Sequence, residues 1–260
     1  MNIVVCIKQV PDTNEIKINP VTGTLIRDGV PSIMNPDDKG GLEMALRLKD
    51  ELGAHVTVIT MGPPQADLVL REAFAMGADR AILLSGREFA GADTLATSNA
   101  LAGALRTLQF DLLICGRQAI DGDTAQVGPQ MAEHLDLPQI SYVCDIKVKD
   151  EKTVRVVKEN EDGHQILEAQ MPCLLTCLAS AVHPRYMNVA GIVQAYNKEV
   201  EVWGVDRIDV DLAKLGLKGS PTKVLKAFAK GLKAPGEVFE TDPEEAVGII
   251  ISRLKEKFII

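Results

Sequence analysis

DLLICGRQAIDGDTAQVGP, residues 111–129, is the stretch on which the fold class turns. The apolar run Asp111–Cys115 ends at Gly116. Arg117 and Gln118 follow, then the flexible Asp121-Gly122-Asp123, and a helix is predicted to start at Thr124 and occupy Ala125–Leu135. A buried strand that empties through small residues into a helix N-terminus is how α/β proteins hold a phosphate. Backbone N–H groups and the helix dipole both point at the anion. Gly116, Arg117, Gln118, Asp121, Gly122, Asp123, Thr124, Ala125, Gln126, Val127, Gly128 and Pro129 are therefore candidate nucleotide contacts.

Working outward, the same alternation recurs on the N-terminal side. Ile3–Ile7, His55–Thr60 and Arg80–Leu84 read as strands, Pro36–Leu52, Pro64–Met76 and Asp93–Leu108 as helices, with Gly53 and Gly77 as stops. Near-continuous apolar strands separated by helices predict a mostly parallel, Rossmann-like sheet covered on both faces. Ligands in such sheets lie at the carboxyl ends of the strands. After Pro138 the pattern changes to short strand-like runs, Val143–Lys149, Thr153–Glu159 and His164–Ala169, joined by polar turns. These read as an antiparallel extension, and Pro172–Leu178 as one more buried strand.

From Pro184 onward the periodicity weakens. Residues 204–241 carry several Gly and Pro, and the lysines of Lys214–Lys233 are diluted enough to read as a solvated helix or loop. Asp242-Pro243-Glu244-Glu245 is a strong helix start, with Val247, Ile250, Ile251, Leu254 and Phe258 on one side. The division expected is an α/β nucleotide-binding domain over 1–190 and a C-terminal arm with a terminal helix over 191–260. The arm either packs on another subunit or folds back on its own domain.

At 260 residues and 46% apolar, the chain is long enough to bury a large core, and its net charge of −8 speaks against nucleic acid or an anionic membrane as partner. No window approaches the roughly 18 apolar residues of a membrane span. MNIVVCIKQV reads as a first strand rather than a signal peptide, so a cytoplasmic location is expected. The five cysteines lack regular spacing, as free thiols in a reducing compartment do. Cys173 and Cys177, on a strand, stand about 13 Å apart, too far to share a metal, and no CxxC motif suggests an iron–sulfur cluster.

Several familiar chemistries are missing. KQVPDTNE follows the first strand in place of GxGxxG, and neither a GxxxxGK[ST] loop nor GxSxG occurs. The histidines fall in separate elements, and only His183, in AVHPRY, retains a functional reading. Two further segments sit at strand ends. Asn35-Pro36-Asp37-Asp38 opens the first long helix, with Asn35 as N-cap and the acidic pair suited to the dipole. Met61-Gly62-Pro63-Pro64 closes the second strand, where Met61 is suited to pack on an adenine ring. Singly, each has a structural reading; together with Gly116–Pro129 they outline an adenine-nucleotide crevice.

These residues resemble the β subunit of the electron-transfer flavoproteins over nearly the whole chain. VVCIKQVPD, SIMNPDDKGGLEMALRLK, TMGPPQADLVLREAFAMGADRAILL, CGRQAIDGDTAQVGPQMAEHL and VHPRYMN carry the resemblance. It implies a heterodimer with an FAD-carrying α subunit, a fold of the adenine-nucleotide-hydrolase-like type, and an arm that embraces the partner. In simpler members the crevice holds a structural AMP, on stretches matching Cys6, Asn35–Asp38, Met61 and Gly116–Val127. Here DGDTAQVGP replaces the AMP-type spelling and resembles the electron-bifurcating members, whose β subunit binds a second FAD. Gly122 would let a diphosphate approach the backbone, and Thr124 and Gln126 would donate hydrogen bonds.

That resemblance implies hydride transfer from NADH to the second flavin. One electron then goes to ferredoxin or flavodoxin, the other through the α-subunit FAD to an acyl-CoA dehydrogenase-type partner docked at Leu178–Arg185. No side chain is expected to act as acid or base. The alternatives are AMP in the same crevice without bifurcation and, more remotely, a stand-alone adenine-nucleotide sensor.

Overall fold

The computed structural model describes residues 1–12, 31–222 and 235–260. Strand β1 (Asn2–Cys6) leads through a small ribbon, β2 (Gln9–Pro11) with β3 (Ser32–Met34), to α1 (Pro36–Leu52). Then come β4 (His55–Met61), α2 (Asp67–Met76), β5 (Arg80–Leu84), α3 (Thr94–Leu105), β6 (Leu112–Gly116) and α4 (Val127–Leu135). The meander β7 (Gln139–Val148), β8 (Thr153–Asn160) and β9 (Gly163–Gln170) precedes β10 (Cys173–Cys177). The chain continues through α5 (Val189–Asn197), β11 (Val200–Trp203), the single turn α6 (Gly216–Gly219) and α7 (Pro243–Glu256).

The main sheet has nine strands in the order β11-β5-β4-β1-β6-β10-β7-β8-β9. It is parallel from β11 to β7 and antiparallel from β7 to β9. Every residue of β6 and β10 is buried, as expected for parallel strands covered on both faces. One face packs Ile3, Val5, Leu112 and Ile114 against α1 and α2 residues such as Leu42 and Leu70. The other packs Val4, Leu113 and Leu174 against α3 and α4 residues such as Leu101 and Met131. Each fully buried leucine or isoleucine contributes about 1.5–3 kcal/mol. The mostly parallel fold with helices on both faces and an antiparallel extension is the expected one.

Two local expectations are corrected, and a third point left open by the sequence is decided. The helix predicted from Ala125 starts at Val127, because Ala125 sits at φ 52, outside the helical region. The helix predicted over Pro64–Met76 is a 3₁₀ turn, Pro64–Ala66, followed by α2. Of the two readings of the chain after residue 190, residues up to about Ser220 take the one that folds back. Helix α5 lies on α2, where Arg71 donates to the Ala195 carbonyl at 2.7 Å. Strand β11 then adds to β5 in parallel register, and Leu215 is buried. The α/β unit thus continues to about Ser220, and only 235–260 among the described residues stands as an arm. Of the lysine-rich stretch, 223–234 lies outside the described residues.

Candidate functional site

The crossover through α1 carries the chain from β1 to β4 on one side, and α3 returns it to β6 on the other. The strand order therefore switches between β1 and β6, where the carboxyl ends splay and leave a crevice. The loops after β1, β4, β5 and β6 enclose a cavity of about 820 Å³ at that point, near the upper end of the range for small-molecule sites. At the usual spacing of neighbouring strands, the four strand ends from β6 through β1 and β4 to β5 extend over about 14 Å.

The floor is built by the start of α1. Asp38 is buried, and its two oxygens accept from the backbone N–H groups of Gly116, at 2.9 Å, and Lys8, at 2.8 Å. One carboxylate thus ties the ends of the two strands that flank the switch point. Burial pushes its pKa up to about 7, against the lowering effect of the N–H donors. Gly116 is required here: a Cβ would meet the Asp38 carboxylate and backbone at less than contact distance. Cys6 and Cys115 sit side by side in register in the same floor. Burial raises both thiols well above the usual range, so they act there as small apolar groups rather than as nucleophiles.

Asn35 stands at the N-cap position of α1, as expected, but its side chain makes no capping hydrogen bond. Its amide instead donates to the Gln118 carbonyl at 2.8 Å and accepts from the Ile120 N–H at 3.1 Å. Fully buried, it pins the loop after β6 to the helix start. Asp37 acts similarly, accepting from the Ala179 N–H at 2.9 Å. Asn35 thus joins the loop after β6 to the helix start, and Asp37 joins the turn after β10 to it.

The loop itself is held from several sides. Lys8 pairs with Asp121 at 2.6 Å, and Gln118 donates to Asp123 at 2.8 Å. Asp123 and Ala125 both adopt positive φ, 50 and 52, a region that costs about 1–2 kcal/mol for a non-glycine residue. Such strain concentrates at ligand sites. Gly122 precedes both in open space, with no atom of the described residues beyond its chain neighbours within 4 Å of where its Cβ would stand. The protein's own packing therefore gives no reason for a glycine there. Helix α4 begins without a side-chain cap, and Gln126 is engaged by the Thr94 hydroxyl at 3.0 Å.

Of the candidate residues, Cys6, Asp38, Met61, Gly62, Gly116, Arg117, Gln118, Gly122, Thr124, Ala125, Gln126, Val127 and Gly128 line this one cavity. Asn35, Pro36, Asp37, Asp121, Asp123 and Pro129 stand behind it. The sequence reading missed Lys8 and the whole wall after β5, built from residues 85–87, 89–94 and Thr97. The signal was present, since Gly86-Arg87 ends a strand as Gly116-Arg117 does. The wall is tied in by Asp93, which caps α3 through the Ala96 N–H at 3.0 Å and also accepts from the Thr222 N–H at 3.0 Å.

Leu178–Arg185 lies elsewhere on the surface, on the flank of α1. Arg185 is clamped there by Glu43 at 2.9 Å and Asp50 at 2.8 Å, and His183 is exposed. Among the described residues no cluster of His, Cys, Asp or Glu is arranged to hold a metal, and no helix is long and apolar enough to cross a membrane.

Residues 22–208 match the family model of the electron transfer flavoprotein domain. The chain is 57% identical, over the full length of both proteins, to an electron transfer flavoprotein subunit beta of Clostridium acetobutylicum. It is 52% identical, again over both full lengths, to the caffeyl-CoA reductase-Etf complex subunit CarD of Acetobacterium woodii. A third relative, 46% identical over both full lengths, is the acryloyl-CoA reductase electron transfer subunit gamma of Anaerotignum propionicum.

Proposed function

The chain belongs to the electron transfer flavoprotein family, as a β subunit that partners with an α subunit, and from that premise we propose that its cavity holds a second FAD used in electron bifurcation. The observation that carries this reading is the pairing of cavity size with the open space at Gly122. About 820 Å³ spread over the ends of β1, β4, β5 and β6 exceeds what one mononucleotide fills. Gly122 leaves room for a diphosphate to approach the backbone. Thr124, the uncapped start of α4 and its dipole supply donors on the same side.

A flavin bound there would take two electrons from NADH and release them singly, one to ferredoxin or flavodoxin and one through the α-subunit FAD. The chain's own contribution is to bind, orient and seal. Met61 and the Pro63-Pro64 turn offer an apolar surface for an adenine. Lys8, Arg117 and Gln118 face the cavity from the switch point. Cys6 and Cys115, kept neutral by burial, line the floor without offering a competing nucleophile.

The electron acceptor proposed for the second branch is an acyl-CoA dehydrogenase-type protein, in keeping with the CoA-linked reductases named for two relatives. Its proposed dock is Leu178–Arg185, where the Arg185 clamp presents the neighbouring Tyr186 almost wholly to solvent. The α subunit is proposed to receive the 235–260 arm. The chain purified with its α partner tests the central reading. Two FAD and no AMP per heterodimer are expected, whereas one FAD with one AMP would replace it by the non-bifurcating alternative.

A further inference from the structure

Arg117 lines the cavity, and its guanidinium is held against a strained neighbour outside it. Its backbone N–H donates to the Cys177 carbonyl at 2.9 Å, which carries the residue off the end of β6 alongside β10. Its Nε lies 3.4 Å from the Asp37 carboxylate, yet that buried N–H has no hydrogen-bond acceptor among the described residues. The guanidinium carbon stands 5.8 Å from the centroid of the Tyr142 ring.

Tyr142 reaches that place at a cost. Its φ is 62, a left-handed conformation that is an outlier for a bulky side chain and costs about 1–2 kcal/mol. The strain falls where β7 loses register with β10, just ahead of its break with β8 between Val143 and Asp145, and the Tyr142 N–H is tied to the Thr176 hydroxyl at 3.3 Å. The irregularity takes Tyr142 out of the regular ladder and sets its ring against Arg117 instead. Asp37 is fixed independently by the Ala179 N–H. The guanidinium is therefore gripped by a carboxylate and an aromatic face while a buried donor stays unsatisfied. Backbone strain kept beside an unsatisfied donor in a cavity wall marks a ligand clamp rather than a packing motif.

We propose that Arg117 is the cation that meets an anionic oxygen of the bound cofactor, with Tyr142 and Asp37 as its positioning residues. The inference rests on the cavity being a nucleotide site but not on which nucleotide fills it.

The test is a double-mutant cycle on the heterodimer, stripped of flavin and titrated with FAD while the second equivalent is followed by flavin fluorescence. Tyr142→Leu is expected to weaken that second binding roughly tenfold, the loss of one cation–π hold on the charge. Tyr142→Phe, which keeps the ring, is expected to bind as the unaltered protein does. In an Arg117→Gln background, Tyr142→Leu should add nothing. The Tyr142→Leu defect should also shrink as salt is raised, since screening weakens the contact it acts through. A full Tyr142→Leu defect in the Arg117→Gln background, or no defect at all, would overturn the proposal. If the unaltered heterodimer takes up AMP and no second FAD, the bifurcating reading fails. The same cycle run with AMP then decides the role of Arg117 by the same criteria.

Discussion

At Asp38 a single carboxylate carries both the architecture of the crevice and a titration. Its folded pKa of about 7 lies above the ordinary 3.8. The folded state therefore holds this proton more tightly, and the stabilisation is complete below about pH 4. It is lost as the pH rises through 7. His134, which burial holds below its usual value, works in the opposite sense in an overlapping window, so total stability against pH would blur the two. The difference between unaltered and Asp38→Asn protein isolates Asp38. Asparagine keeps an acceptor for Gly116 but turns an amide toward the Lys8 N–H. We expect a loss of about 1–3 kcal/mol at pH 5, narrowing by pH 8, read by urea denaturation of the complex. A gap that does not change with pH would show that burial does not govern this carboxyl.

Gly122 is the converse case, a residue the fold does not need. Gly122→Ala should leave stability within about 0.5 kcal/mol, since nothing lies within 4 Å of the new methyl group. Gly122→Asp should lower the second-site FAD content. Equal flavin content in both variants would remove the diphosphate from this loop.

Among the elements, what was legible followed from period. β5 came out residue for residue, and α1 likewise, with Gly53 as its left-handed cap. Alternation and apolar runs are local properties that tertiary contacts reinforce here. What could not be read depends on distant partners. Ala125 gives no sequence sign of a positive φ. Asn35 looks like a cap, and only the presence of Gln118 and Ile120 beside it redirects its amide. VEVW is too short to declare itself as β11 until β5 supplies its ladder. The candidate site was legible for the same reason as the strands, because it sits at their ends. The wall after β5 obeyed that rule too, but carried no recognised spelling.

Helix α1 shows how one element serves both the crevice and the surface. Its first turn holds the loops after β1 and β6, and two turns on Glu43 holds Arg185 through two oxygens, at 2.9 and 3.1 Å. Glu43 is buried whereas Arg185 is about one-third exposed, so solvent screens part of the pair. Glu43→Ala is expected to cost about 1–3 kcal/mol, below the value for a fully buried pair. It should also raise amide hydrogen exchange over residues 183–188 while sparing β6. Unchanged exchange in that segment would mean that Arg185 is not what holds it.

For the whole molecule, the decisive contrast is between the chain up to about Ser220 and the arm. Leu215 and Ser220 are buried, and the Ser220 hydroxyl accepts from the Asp93 N–H at 2.8 Å, which roots the tail in the cavity wall. Helix α7 is different. It is well capped, with Asp242 accepting from the Glu245 N–H at 2.9 Å, yet not one of its residues is buried. Val247, Ile250 and Ile251 are more than two-fifths exposed along one stripe. An amphipathic helix with an unpaired apolar face gains stability only when that face is covered. In a family built of two subunits, the cover proposed is the α subunit. Ile250→Asp together with Ile251→Asp should therefore weaken the heterodimer by about 2–4 kcal/mol, from the loss of two buried side chains at the contact. The α/β unit itself should keep its melting behaviour. Analytical ultracentrifugation of the paired chains reads the first effect and thermal denaturation of the β chain the second. An undiminished heterodimer would show that the stripe on α7 faces something other than the α subunit.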